Sequence, residues 1–80
     1  LTVKIHPSAR KHGIADADIR HATEHAMTID PQSDDTRLYL GPARNASLLE
    51  ILTIMQNDGS ELAIHAMVMR SKYQRLLPDG

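Results

Sequence analysis

At 80 residues the chain has room for one domain, spanning 1-80, and a domain of that size buries a modest share of its surface. Cysteine is absent, which excludes disulfides, thiolate chemistry and cysteine-based zinc sites and gives no sign of an oxidising compartment. The net charge of -1 conceals an uneven layout: Lys4, Arg10, Lys11 and Arg20 make the start slightly basic, Asp30, Asp34, Asp35, Glu50, Asp58 and Glu61 make the middle acidic, and Arg70, Lys72 and Arg75 make the end basic.

If the two basic ends meet, they form a cationic face suited to a phosphate backbone; the plainer reading is ordinary solvated charge. Phe and Trp are missing and only Tyr39 and Tyr73 are aromatic, so the core must come from Leu, Ile, Val, Met and Ala. Such a core is often completed by a partner chain. No apolar run approaches the roughly 20 residues of a membrane span, and no leader pattern opens the chain, where Leu1 reads as a trimmed start. The expectation is a cytoplasmic protein with no membrane contact.

Thr2 to Ile5 alternates weakly and suggests a short edge strand. Pro7 then opens a helical turn that Gly13 closes, the usual asymmetry of proline at a helix start and glycine past its end. Asp16 is placed to cap a second helix whose apolar stripe is Ala15, Ile19, Ala22 and Ala26, with Asp16, Arg20 and Glu24 as a charge ladder on its outer face. Met27 to Asp30 reads as a short strand broken by Pro31, Gln32 to Thr36 as a polar loop, and Arg37 to Leu40 as a strand ending at Gly41-Pro42.

Ser47 to Gln56 is apolar on both alternating faces and reads as a central strand. Asn57-Asp58-Gly59-Ser60 tolerates positive φ, so the chain doubles back into Glu61 to Val68 as an antiparallel hairpin, the spine of the expected fold. Strict alternation puts Leu62, Ile64, Ala66 and Val68 on one face and Ala63, His65, Met67 and Met69 on the other. A last helix from about Arg70 to Leu77 is stopped by Pro78. The fold class is α+β: a small antiparallel sheet, a hairpin meander, with two N-terminal helical segments and a short C-terminal helix.

Phosphate loops, paired catalytic carboxylates and a nucleophile elbow are missing, and no cofactor is implied. His21 and His25 have the helical spacing of two metal ligands, with Asp18 in reach as a third. No HExxH glutamate accompanies them, so they are read as exposed helix residues and no metal is assigned. His6 and His12 flank Arg10 and Lys11 in the run H-P-S-A-R-K-H-G, a cluster suited to an anion or a scissile phosphate; the alternative is that His12 packs under the Gly13 turn.

The sharper constellation is His65 with Arg70, Lys72 and Tyr73. At a strand end and a helix start they can converge on one edge, cations binding phosphate while His65 or Tyr73 moves a proton. Against that, His65 is equally a satisfied sheet residue and Tyr73 a core anchor beside Leu76 and Leu77. The candidate catalytic residues are His65, Arg70 and Tyr73, and the candidate RNA-binding residues are Lys11, His12, Lys72 and Arg75.

The segment R-K-H-G-I-A-D-A-D-I-R-H-A resembles the opening of BrnT-type toxins, small RelE-like ribonucleases of bacterial type II toxin-antitoxin pairs, in which a Lys-His-Gly turn precedes an acidic amphipathic helix. From Leu38-Tyr39-Leu40-Gly41 through Leu48 to Met55, the N-D-G turn, L-A-I-H-A-M and R-S-K-Y-Q-R-L-L, the elements follow that family's order. Where the family carries an R-I-I-S-A-R pattern, His65 stands in place of the serine, and Leu62 and Met67 in place of the arginines. The resemblance implies a BrnT/RelE-like fold, metal-independent action on RNA or the ribosome, and a cognate antitoxin as partner. The rival reading is a non-catalytic interaction module, a homodimer or heterodimer subunit, favoured by those missing arginines and the Met67-Val68-Met69 run.

Overall fold

The structure, a computed structural model, describes residues 3–78. Strand β1 (Val3–Ile5) leads into a 3-10 turn (Pro7–Arg10) and helix α1 (Asp16–Glu24). Strands β2 (Thr28–Pro31), β3 (Thr36–Pro42), β4 (Leu48–Met55) and β5 (Glu61–Val68) follow, and a second 3-10 segment (Ser71–Leu76) closes the chain. The strands form one five-stranded sheet in the order β1-β5-β4-β3-β2. This is an α+β fold, but the sheet is mixed rather than antiparallel, because β1 lies parallel to β5 with Val3 opposite Glu61. A strand at the start of the chain has no short turn to dictate its direction, so it can add to the free edge of the hairpin in either sense. Thr2 lies outside the described residues.

The hairpin forms where its turn residues place it. Gly59 has φ +85°, and the backbone N–H of Gln56 donates to the Ser60 carbonyl at 2.8 Å to close the loop. Its register holds one surprise. Leu52 pairs with His65 and Thr53 with Ala63, so Ile64 is an extra residue, a β-bulge. An inserted residue reverses side-chain parity. Glu61 and Ala63 therefore share the face of Ala66, and Leu62 turns to the face of His65 and Met67, which corrects the strict alternation expected from sequence.

The core fills the α1 side of the sheet, with Ile19 and Ala22 of the helix against Tyr39, Leu49, Ile51, Ala63 and Ala66. Alanines rather than methionines fill it, and Met27 is half exposed. Small side chains bring backbones together, most tightly at Gly41, where a Cβ would stand 2.2 Å from the Ala22 carbonyl oxygen. Ala15 is exposed and takes no part in the apolar stripe. Nor is Asp16 the cap: the N-cap is Ala15, which makes no side-chain cap, and Asp16 instead receives Arg10 Nε at 3.0 Å and Nη2 at 2.9 Å. That pairing ties α1 to the preceding turn, and Arg20 acts on Asp16 only as a weaker charge neighbour.

The last segment is a 3-10 rather than an α-helix, consistent with its exposed, proline-bounded setting. It reaches β2, where the Thr28 hydroxyl donates to the Leu76 carbonyl at 2.9 Å. Two acids of the middle region, Glu50 and Glu61, are buried in the sheet rather than lying on its surface. Among the described residues no helix is long and apolar enough to cross a membrane.

Candidate functional site

Strand β4 carries a carboxylate between apolar neighbours, Leu48-Leu49-Glu50-Ile51-Leu52, and Glu50 is fully buried on the face away from α1. A charge removed from water needs donors around it. They come from β5 and the chain just beyond it. His65 Nε2 lies 3.0 Å from Glu50 Oε2, the Arg70 backbone N–H donates to Oε1 at 2.9 Å, and the Arg70 guanidinium donates through Nε to Oε1 at 3.1 Å and through Nη2 to Oε2 at 2.7 Å. Burial opposes ionisation of Glu50. The bonds from the Arg70 side chain, its backbone and His65 outweigh that and bring the pKa down to about 2.

An ionised carboxylate only accepts hydrogen bonds, so Nε2 of His65 carries the proton in this pair. In the neutral ring the lone pair is then on Nδ1, which has no hydrogen-bond partner among the described residues. The imidazole is 29% exposed while Glu50 beneath it is 1% exposed, so the ring has one nitrogen anchored in the protein and an edge open to solvent.

The early Lys-His turn meets this group. Its 3-10 turn docks on β5 through the His6 N–H, which donates to the Ala63 carbonyl at 2.9 Å, and the Ser8 hydroxyl, which donates to the Ile64 carbonyl at 2.7 Å. The bulge leaves Ile64 without a partner on β4, so its carbonyl is available to Ser8. Buried Ala9 fixes the turn, and Gly13, at φ +76°, redirects the chain just after His12. The His12 ring then stands edge-on to His65, with 5.7 Å between centroids and 79° between planes.

The other candidates take varied places. Tyr73 is half-buried under two cations, with Arg70 Cζ 5.7 Å and Lys72 Nζ 5.0 Å from its ring centre. Arg70 spends its guanidinium on Glu50, which makes it a holder of the carboxylate. Lys11 sits next to His12, and Arg75 lies in the last turn of the C-terminal segment. Lys11, Lys72 and Arg75 enter no ion pair among the described residues.

Sequence reading counted Glu50 only among the acids of the middle region and gave it no place in the site. The signal was present, since an acid inside a doubly apolar strand must be paired.

A second buried acid lies on the α1 side. Glu61 Oε2 accepts from the Tyr39 hydroxyl and from Thr53 Oγ1, the latter at 2.7 Å, and Arg37 Nη1 is 3.5 Å from Oε1. Burial first, and then the bond to Glu61, push the Tyr39 hydroxyl above its usual pKa. This network ties three strands together and lies across the sheet from His65.

No protein-family model matches the chain, and neither a curated protein nor a solved structure matches it.

Proposed function

We propose that the chain is a toxin-like component of a bacterial toxin-antitoxin module, on a BrnT/RelE-like scaffold, and that it cleaves RNA without a metal. The carrying observation is the meeting of His12 with His65, whose far nitrogen is held by the buried Glu50-Arg70 pair. In this reading Nδ1 of His65 takes the proton from a ribose 2′-hydroxyl, the oxygen attacks the adjacent phosphorus, and His12 in its protonated form returns a proton to the departing 5′-oxygen. The products are a 2′,3′-cyclic phosphate and a free 5′-hydroxyl. Lys11 and Lys72 neutralise the phosphate, Tyr73 supports Lys72, and Arg70 keeps Glu50 ionised and in place. Arg75 extends the cationic surface for RNA or the ribosome. An antitoxin would silence the protein by covering this face.

The deciding measurement is cleavage of a single-stranded RNA in EDTA by the wild type, His65→Ala and His12→Ala. The expected result is 2′,3′-cyclic ends from the wild type and a loss of about a hundredfold or more in each variant, the usual worth of general acid or base catalysis. A wild type that produces no such ends removes the enzyme reading.

The rival interaction module draws on Val68, which is 59% exposed between the half-buried Met67 and Met69. Light scattering tests it: a strictly monomeric chain with intact RNA cleavage removes the homodimer version.

A further inference from the structure

The carboxyl end of α1 holds a second pair of histidines, His21 in its last turn and His25 as its C-cap. His21 and His25 stack, with ring centroids 4.2 Å apart and planes inclined by 23°. Each ring is held by a backbone carbonyl: His21 Nδ1 is 2.8 Å from the Pro42 oxygen, and His25 Nδ1 is 3.0 Å from the His21 oxygen. A carbonyl only accepts, so in both rings Nδ1 carries the hydrogen and the lone pair is on Nε2. Neither Nε2 has a hydrogen-bond partner among the described residues.

The anchored Nδ1–H with a free Nε2, and not the stacking, is the feature shared with metal-binding imidazoles. A histidine ligand normally gives its other ring N–H to a carbonyl or carboxylate, which fixes the tautomer and aims the free nitrogen. Helical i, i+4 spacing aligns the two rings, and the carbonyl end of α1 adds negative potential that favours a cation. The expectation of exposed positions holds for His25, whereas His21 is half-buried with its Nδ1 held by the Pro42 carbonyl.

We propose that His21 and His25 bind one divalent late transition metal ion, of the zinc and copper class, through their Nε2 atoms, the exposed His25 ring turning out of the stack so that both lone pairs meet at the ion, with water in the remaining positions. The candidate third ligand, Asp18, is already spent: its Oδ1 accepts the Arg44 backbone N–H at 3.0 Å and Arg44 Nε at 2.8 Å. No group of three His, Cys, Asp or Glu among the described residues encloses a metal, so the site is a two-ligand chelate. Imidazole ligands suit late transition metals over magnesium or calcium, which require oxygen. The site does not depend on the ribonuclease reading. The pair His12 and His65 differs in that only His65 has an anchored ring nitrogen, His12 making no side-chain hydrogen bond among the described residues.

The test is calorimetric titration of Zn²⁺ into the full chain, with histidine ring proton resonances followed by NMR to locate the ion. The expected result is one ion per chain, shifts confined to His21 and His25, and affinity reduced by about a hundredfold in His25→Gln as the second ligand's effective concentration is lost. Absence of binding, equal affinity in the variant, or shifts at His12 and His65 instead would each overturn the proposal. His25 is exposed, and a circular dichroism melt of the variant checks that the fold is unchanged.

Discussion

The Glu50 carboxylate and the His65 imidazole bond across adjacent strands at 3.0 Å, one group fully enclosed and the other reaching water. The bond connects the interior of the sheet to its surface. Its consequence is directional, because the ionised acid decides which imidazole nitrogen keeps the hydrogen and which keeps the lone pair.

Acid should weaken the protein through Glu50. Its folded pKa of about 2 lies below the ordinary glutamate value, so its stabilisation is complete above about pH 4.5 and disappears as the pH falls toward 2. The difference is on the order of 3 kcal/mol. Urea unfolding of wild type and Glu50→Gln between pH 7 and pH 2.5 isolates this contribution, since the other carboxylates are common to both. The stability gap between the two should narrow on acidification. A gap that stays constant would contradict the role given to Glu50.

Arg70→Lys keeps the positive charge but loses the paired guanidinium contacts to Glu50. We expect a loss of about 1 to 3 kcal/mol in unfolding free energy, typical of a weakened charged hydrogen bond. Cleavage should also fall, as His65 loses the support of a fixed carboxylate. An unchanged melting temperature would show that the fork geometry is unimportant.

Lys72→Ala should leave the fold intact, because its ammonium enters no ion pair among the described residues. The plot of log binding constant for single-stranded RNA against log salt should become shallower by about 0.7, the value for one phosphate contact. Fluorescence anisotropy across a salt series measures it. An identical slope would remove Lys72 from the interface.

Gly41→Ala places a methyl group 2.2 Å from the Ala22 carbonyl oxygen, an atom of helix backbone that cannot swing aside. The helix must lift from β3, at an expected cost of about 2 kcal/mol or more, which for a domain this small lowers the melting temperature by roughly 10 °C. Thermal unfolding followed by circular dichroism tests it. A neutral result would mean that α1 sits further from the sheet.

Tyr39→Phe removes one of two hydroxyl donors to the enclosed Glu61. The expected loss is about 1 to 3 kcal/mol, the cost of leaving buried acceptor capacity unsatisfied. In a Glu61→Gln background the same substitution should cost less, and a double-mutant cycle of unfolding energies measures the coupling. Zero coupling would argue that the two groups act independently.

Local chemistry made much of the fold readable from residues. The N-D-G turn, the doubly apolar Leu48 to Met55 strand and the Pro7 to Gly13 turn are each specified by side chains close together in the chain, through φ preference and hydrophobic period. The structure brings the early Lys-His turn beside His65, with 5.7 Å between the His12 and His65 ring centroids.

Three features were settled only by packing between distant segments. The direction of β1 is set by the free edge of β5 and not by any turn. The bulge at Ile64 comes from how β5 accommodates β4 and the Ser8 hydroxyl together, and one extra residue reverses which side chains face α1. The pairing of Glu50 with Arg70, like the Pro42 carbonyl that orients His21, joins atoms that local pattern cannot relate, because a side chain's hydrogen-bond partners depend on which backbones stand beside it in space.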